Sequence, residues 1–510
     1  MKSARKKPLR RADLAAAGLP ALDSLQISRV LERLFGFVTH VALFLFLIYP
    51  YGDYDWGWHY RYGEYFLEHG ELLRKDIFSW TMEGYEWINH SWLYDPLLYV
   101  VYHNFSFVGL SIAGATIAIL AFTIGTCFFD LSYWQKAFLA FFYFFLMPEV
   151  MHQGLRTQVA ALPLFASLTA FLILARKGKK WPCFALPFLF LLWANLHGSF
   201  LLGLVIFGFF WISLLFLELL QAGSLRVAPG VVSLLISFAA SIAATLVNPF
   251  GYHIYLESMR HFNSPLLSLV REWNPAPVEL FYVKILALYT LFLLVGFIRR
   301  KSIADLPYIG ISLLLFYLAL TALRHIGFYM IATLPFAAMI LSHFALRLER
   351  FKATAVVFCL AAATALCGGY LRLAPIDLFL KYSFEDYCIL GPRCSETLVG
   401  YLRENPPAGR GFNEYDWGGF LIGRGIQAKV FVDGRMHLWQ RNGYSPFLDQ
   451  TRIFDELDLQ RFAQYQFDWV MVRTGSDLAK ILEASRTNLA IGSWDKVYSD
   501  RRGSYFVRRR

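Results

Sequence analysis

Two aspartates stand two residues apart in the stretch YGDYDWGWHYRYGEY, and a histidine follows one helical turn later. They are Asp53, Asp55 and His59. A carboxylate pair beside an imidazole can take a proton from an attacking hydroxyl or help to hold a divalent cation. The tryptophans around them would desolvate the carboxylates and make them better bases. The same tryptophans and tyrosines also suit a belt at a membrane surface. The stretch reads as an anchor or as the start of an active site, and the elements around it must decide.

Those elements are apolar. Hydrophobic residues make up 57% of the 510-residue chain, against roughly 45–50% in soluble globular proteins. The excess lies in runs such as Val41 to Tyr51, Phe107 to Phe129 and Leu280 to Ile298. Runs of about twenty apolar residues read as transmembrane helices. Spans are predicted near 34–51, 106–129, 136–150, 157–175, 182–195, 200–220, 231–247, 280–298, 304–322, 326–346 and 353–371. The expected fold is a polytopic α-helical membrane protein of about 11 transmembrane helices with a C-terminal soluble α/β domain. The expected divisions are a basic N-terminus at 1–33, a membrane domain at 34–371 with a long loop at 52–105, and the α/β domain at 372–510. The basic N-terminus runs into a long first span without a small-residue cleavage pattern, so it reads as uncleaved.

The net charge of +11 sits largely at the ends and in short loops. That pattern sets orientation and touches anionic headgroups rather than nucleic acid. Of the six cysteines, Cys127, Cys183, Cys359 and Cys367 fall in or beside apolar runs and read as buried thiols. Cys388 and Cys394 could close a small disulfide loop or stay free.

The basic clusters Arg176–Lys180, Arg299–Lys301 and Arg347–Lys352 all fall on one side if the N-terminus is cytoplasmic, as the positive-inside rule asks. Treating "WANLHGSF" as a junction between two short crossings preserves this parity. The protein is thus expected in the plasma (inner) membrane with its C-terminal part extracytoplasmic. The outer side receives 52–105, "HQGLRTQ", "NLHGS", "NPFGYH", "REWNP" and Arg324–His325. Asp, Arg, His and Asn gather there, and polar side chains near membrane depth tend to line a functional cavity. In the long loop, "RYGEYFLEHGELL" has amphipathic spacing ended near Gly70, and "SWLYDPLLYVVYH" offers a second interfacial helix with Ser91 as its cap.

This pattern resembles the GT-C superfamily of integral membrane glycosyltransferases, including the protein O-mannosyltransferases and lipid A aminoarabinose transferases. There an Asp-Glu pair opens the loop and Lys-Pro-Pro-Leu follows at the second helix. The count from Asp55 to Gly70 matches that branch, and "NHSWL" (89–93) falls at the second motif. Here Trp56 replaces the Glu, His90 takes the Lys position, and Asp53 is additional. The match is closer to a set of microbial multispanning proteins with Asp-x-Asp-x-x-Trp-His (Asp53–His59), Asn-His-x-Trp-Leu (Asn89–Leu93), Asn-x-His-Gly (Asn195–Gly198) and Asn-x-Tyr-Asp-Trp-Gly-Gly (Asn413–Gly419).

The resemblance implies transfer of a sugar from a polyprenyl-phosphate donor to a lipid, glycan or protein acceptor. Such transfer needs a base at the acceptor and cations at the leaving phosphate. Asp55, which carries the spacing match, is expected as the base, with Asp53 as partner, alternative base or metal ligand. Arg324 is expected at the phosphate, since a guanidinium fits phosphate oxygens bidentately. Arg156, Arg271, His90 and His325 are further candidates there, and His59, Asn195 and His197 could line the substrate. An arginine at a helix end can equally reach headgroups or pair with Glu272. No tight ligand spacing specifies a metal at Asp53, Asp55 and His59, so a divalent cofactor stays open.

In the C-terminal part "AKVFVDG", "FDWVMVRT" and "GSYFVRR" read as strands among helices. Asp433-Gly434-Arg435 reads as a turn after a strand. A transporter or scaffold for a lipid-linked glycan would use the same cavity, but no internal repeat supports it.

Overall fold

The computed structural model describes residues 24–509 except 153, 223–227, 263, 344–382, 384–394 and 486–490. The eleventh expected span, Cys359, Cys367, Cys388 and Cys394 lie outside the described residues. Cys127 and Cys183 are free thiols.

Among the described residues, six helices are long and apolar enough to cross a membrane: Tyr94–Cys127, Thr157–Arg176, Phe200–Gln221, Phe281–Arg300, Ile303–Thr321 and His325–His343. Shorter apolar helices at Arg33–Leu47, Trp181–Leu196 and Pro229–Thr245 pack with them. Two of the six are central. Their most apolar windows are 78% (Thr157–Arg176) and 89% (His325–His343) buried within the protein, against 39–50% for the others. Small residues allow this close approach. A Cβ at Gly125 would press on Leu334, and one at Gly296 on Ile340.

The long loop folds much as its pattern indicates, with one shift. The Trp56–His69 helix ends at Gly70, whose φ of 69° is the left-handed cap glycine permits. The second helix begins at Tyr94, and Ser91 does not cap it. The Asn89 side chain instead accepts from the Ser91 N–H at 3.0 Å, closing a turn before the helix starts. That helix continues into the next span through a break at Ser106 (φ 55°, ψ −155°), which separates its loop part from its apolar part.

Residues 395–509 carry a four-stranded sheet in the order β1-β2-β4-β3. β1 (Gly411–Asn413) runs parallel to β2 (Trp469–Arg473). β4 (Gly503–Arg508) pairs antiparallel with β2 and with β3 (Trp494–Ser499). The strand expected at "AKVFVDG" does not join this sheet. Val430 pairs with the long loop instead, through its N–H to the Phe78 carbonyl and its carbonyl to the Trp80 N–H, at 3.0 and 3.1 Å. Because Arg435 bridges Asp433 to Asp76, the segment is drawn to the loop rather than to the sheet.

A second contact ties these parts together. The Tyr415–Arg424 helix lies directly on the Trp56–His69 helix. A Cβ at Gly57 would overlap the Gly419 carbonyl oxygen, and one at Gly423 would overlap Trp56 and Gly57. Gly57 and Gly423 thus let the two helices touch closely, while Gly418 packs against the Val432 carbonyl.

Candidate functional site

The two central helices begin at the same end of the bundle. Arg156 immediately precedes Thr157–Arg176, and Arg324 immediately precedes His325–His343. Their side chains meet on one carboxylate. Arg156 Nη1 donates to Glu272 Oε2 at 2.8 Å, and Arg324 Nη1 lies 3.2 Å from Glu272 Oε1. A helix start presents unpaired N–H groups and the positive end of the helix dipole. Glu272 thus occupies an anion position served by two guanidinium groups beside two helix starts. Burial alone would raise its pKa. Arg156 and Arg324 outweigh that and hold its carboxyl well below the usual range.

The short helical turn Arg271–Trp273 is fixed to the same place. The Arg324 N–H donates to the Glu272 carbonyl at 3.2 Å, and the Leu323 N–H to that of Asn274 at 3.0 Å. The Arg324 guanidinium lies 4.2 Å from the Trp273 ring centroid, a cation–π contact. Arg271 itself is exposed and takes no part in this cluster.

On its other side Arg156 meets the aspartate pair. Its Nε is 3.3 Å from Asp53 Oδ1 and its Nη2 is 4.0 Å from Asp55 Oδ2. Asp53 Oδ1 also accepts the Asp55 N–H at 3.2 Å. Asp55 precedes the Trp56–His69 helix and accepts from Trp58 Nε1 at 3.1 Å. Asp55 keeps 24% of its side chain exposed, Asp53 only 3%. Burial raises Asp53 to about 6, opposed by Arg156 and reinforced by Asp55. Burial also raises Asp55, again opposed by Arg156. The array therefore runs Asp53/Asp55, Arg156, Glu272, Arg324.

Imidazoles surround it. His90 is pushed down to about 4 by burial, then by His59 and Arg324. His197, 6.3 Å from it between ring centroids, is pushed well below the ordinary value by burial, then by His90 and Arg324. His197 Nδ1 lies 2.7 Å from the Ser199 hydroxyl. His261 packs on Trp273 at 4.6 Å and is held down to about 2 by burial and His437. His325 stands edge-on to Trp273 with Nδ1 3.1 Å from the Leu318 carbonyl. Neutral histidines beside two arginines leave room for an incoming anion to bring protons with it.

Two candidates have different employment. Asn195 donates to the carbonyls of Leu191 and Val247 and accepts from Trp92 Nε1, so its amide joins helix ends. His59 is buried, with Nδ1 2.5 Å from Asp95 Oδ1. Among the described residues, no group of three or more His, Cys, Asp or Glu side chains could hold a metal ion.

The C-terminal part closes over Asp55. A Cβ at Gly434 would overlap Asp55 Oδ1. His437 follows that turn, with Nδ1 2.8 Å from the Gly434 carbonyl and its ring 5.4 Å from His261. The sequence offered little to single out Glu272, His261 and His437. Glu272 read only as an arginine's partner. His437, two residues beyond Asp433-Gly434-Arg435, becomes visible only when the turn meets the loop.

No family model matches the chain, and no curated protein matches it. Solved structures do. The apo oligosaccharyltransferase of Archaeoglobus fulgidus aligns with a TM-score of 0.53 at 12% identity, over 86% of this chain and 69% of that one. The same organism's AglB, in complex with an inhibitory peptide and a dolichol-phosphate, aligns at 0.51 and 12% over the same shares. Apo ArnT from Cupriavidus metallidurans aligns at 0.50 and 13%, over 94% and 98%. At such identities the likeness establishes architecture alone: this chain shares its fold with these oligosaccharyltransferase and ArnT structures.

Proposed function

We propose that the protein is a membrane glycosyltransferase that moves a sugar from a polyprenyl-phosphate donor to an acceptor at the outer face of the membrane. The observation that carries this reading is the pair of arginines at the starts of the two central helices, both fixed on one carboxylate beside Asp53 and Asp55. Two guanidinium groups fit the oxygens of a leaving phosphate. In this reading the donor phosphate displaces the Glu272 carboxylate from Arg324 and Arg156. An apolar groove of about 500 Å³ at the same end, lined by Trp92, Phe188, Leu192 and Val247 among others, suits a prenyl chain. The dolichol-phosphate bound to the AglB of similar fold supports the same donor class.

Asp55 acts as base because it is the more exposed carboxylate, while Asp53 shares Arg156 and fixes the Asp55 backbone. The acceptor oxygen bonds to the anomeric carbon as its proton passes to Asp55. The carbon–oxygen bond to phosphate breaks, and its electron pair stays on the phosphate beside the arginines. Attack opposite the departing phosphate inverts the anomeric centre. The basic residues Arg176, Lys177, Arg299, Arg300 and Lys301 end helices that start at the site, so the positive-inside rule favours a cytoplasmic opposite end. Residues 372–510 then form an extracytoplasmic α/β domain over the site.

The test uses purified protein in nanodiscs with polyprenyl-phosphate sugars and follows release of the lipid phosphate. Wild type should turn over, and Asp55→Asn should lose about 10²–10⁴-fold at unchanged thermal stability. No release by wild type, together with silent Asp55→Asn in cells, contradicts the reading and favours a transporter or scaffold.

A further inference from the structure

The two oxygens of Asp55 stand in unequal surroundings. Oδ1 accepts the indole N–H of Trp58 at 3.1 Å. The C-terminal part crowds the same oxygen, since a Cβ at Gly434 would overlap Oδ1 first and the rest of the carboxyl group behind it. Oδ2 accepts no hydrogen bond from the described residues and faces Arg156 Nη2 at 4.0 Å. Gly434 is not among the glycines with positive φ. Its closeness to Asp55, rather than its backbone conformation, is what excludes a side chain there.

Both neighbours of Oδ1 are held in place. The Tyr415 hydroxyl donates to the Gly434 carbonyl at 3.1 Å, and His437 Nδ1 lies 2.8 Å from the same oxygen. Beside the glycine, Asp433 accepts the Arg435 N–H and its guanidinium, which reaches on to Asp76. The turn cannot retreat from Asp55 without disturbing that buried ion pair. Trp58 is buried too. Its ring packs on His59 at 3.5 Å and meets Trp87 edge-on at 5.5 Å.

We propose that Trp58 and Gly434 are positioning residues that clamp Asp55 Oδ1, so that Oδ2 is the oxygen that takes the acceptor proton. The proposal rests on the glycosyltransferase reading for the proton and on geometry for the clamp. A carboxylate hydrogen-bonded and crowded at one oxygen presents the other in a fixed direction, as a base needs. Arg156 Nη1 serves Glu272 while Nη2 faces Oδ2. The proton-accepting oxygen and the phosphate position thus lie at different nitrogens of one guanidinium, which sets acceptor and donor side by side.

As the acceptor oxygen bonds to the anomeric carbon, its proton passes to Oδ2 and the carboxyl group becomes neutral. The Trp58 N–H stays on Oδ1, and the electron pair of the broken bond stays on the phosphate. Several groups face Asp55: Asp53 and His59 from its own segment, Arg156 from the start of a central helix, and Asp433 and Tyr415 from the C-terminal part. Burial raises its pKa, while Arg156, His59 and the Trp58 N–H oppose the rise. Losing that N–H therefore raises it further.

The experiment has two arms on full-length protein in nanodiscs. Thermal unfolding reads the clamp without any need for activity. Gly434→Ala should lower the midpoint in the wild-type background and much less in an Asp55→Ala background, where the new methyl meets no carboxyl group. An equal change in both backgrounds overturns the clamp, whatever the enzyme does. The second arm follows lipid phosphate release against pH. Trp58→Phe keeps a ring and loses the N–H, so the acid limb should move up by about one pH unit. Gly434→Ala should lower the rate by about 100-fold at unchanged affinity for polyprenyl phosphate, because it displaces the base and leaves the arginines alone. A Trp58→Phe rate that falls equally at every pH, with the limb in place, overturns the positioning role and leaves Trp58 as packing. Wild type that shows the thermal coupling but releases no phosphate overturns the glycosyltransferase reading and, with it, the role of Oδ2.

Discussion

Two arginine–carboxylate clusters stand side by side in this protein and differ in how they are closed. In the first, Arg435 reaches both oxygens of Asp433 at 2.7 Å and Asp76 at 2.9 Å. Its side chain is 2% exposed and both carboxylates 0%. Trp87 and Trp439 cover the guanidinium at 4.6 and 4.8 Å, and Asp76 also accepts the Ser79 hydroxyl and N–H. In the second, Arg156 and Arg324 are 15% and 12% exposed, and Asp55 and Glu272 about a quarter. The first cluster is sealed with two carboxylates on one arginine. The second spreads contacts over a row, with oxygens turned to a partly open space. Identical residue types are sealed in one place and left partly open in the other. The lock also holds Gly434 close against Asp55.

This difference gives each cluster its own failure. Arg435→Ala leaves two buried carboxylates without their cation, so it should cost about 3–5 kcal/mol of stability. Thermal unfolding in detergent would read it as a large drop in midpoint. If the lock were exposed and dispensable, the midpoint would hold. Asp53→Asn should keep the fold but misplace Asp55 and Arg156, lowering transfer by up to about 100-fold. Initial rates beside melting curves would separate it from Arg435→Ala, which should lose both. Glu272→Gln removes the internal anion while keeping its shape. Polyprenyl phosphate should then bind about tenfold tighter, by roughly the worth of a hydrogen bond to a charged group. Unchanged affinity would mean that Glu272 does not share the phosphate's position.

The smallest effect is the pH response. Asp53 is raised to about 6 and Asp55 is raised with it. A base must be ionised, so with Asp55 raised the rate should climb with pH above the ordinary carboxylate range and then level. A profile already flat from pH 4 upward would show carboxylates of ordinary pKa.

Several of these features were legible in the sequence and several were not. Hydrophobic runs located the apolar helices, because length and apolarity are local properties. Gly70 ended its helix as expected, since left-handed caps depend on one residue. The Asp53–Asp55 pair stood out in the sequence, and the structure sets both against Arg156. The Ser91 cap failed because the Asn89 side chain competes for the same backbone. The strand at Val430 failed because its partner is some 350 residues away in sequence at Phe78 and Trp80, and pattern carries no pairing information at that range. Asn195 and His59 drew attention as polar residues, yet their partners, Trp92 and Asp95, appear only after helices pack. Glu272 illustrates the opposite case: an ion-pair partner in the sequence becomes the centre of the array once two helix starts converge on it.

The most direct test of the account is equilibrium binding of polyprenyl phosphate to protein in nanodiscs, with the two ends of the bundle compared. Arg324→Ala combined with Arg156→Ala should weaken binding by at least about 30-fold, since each guanidinium contributes a charge-assisted pair. Replacing Arg299, Arg300 and Lys301 by alanine at the opposite end should leave affinity unchanged. Equal affinity in wild type and the Arg156/Arg324 variant, or an equal loss at both ends, would contradict a phosphate site at the starts of the central helices.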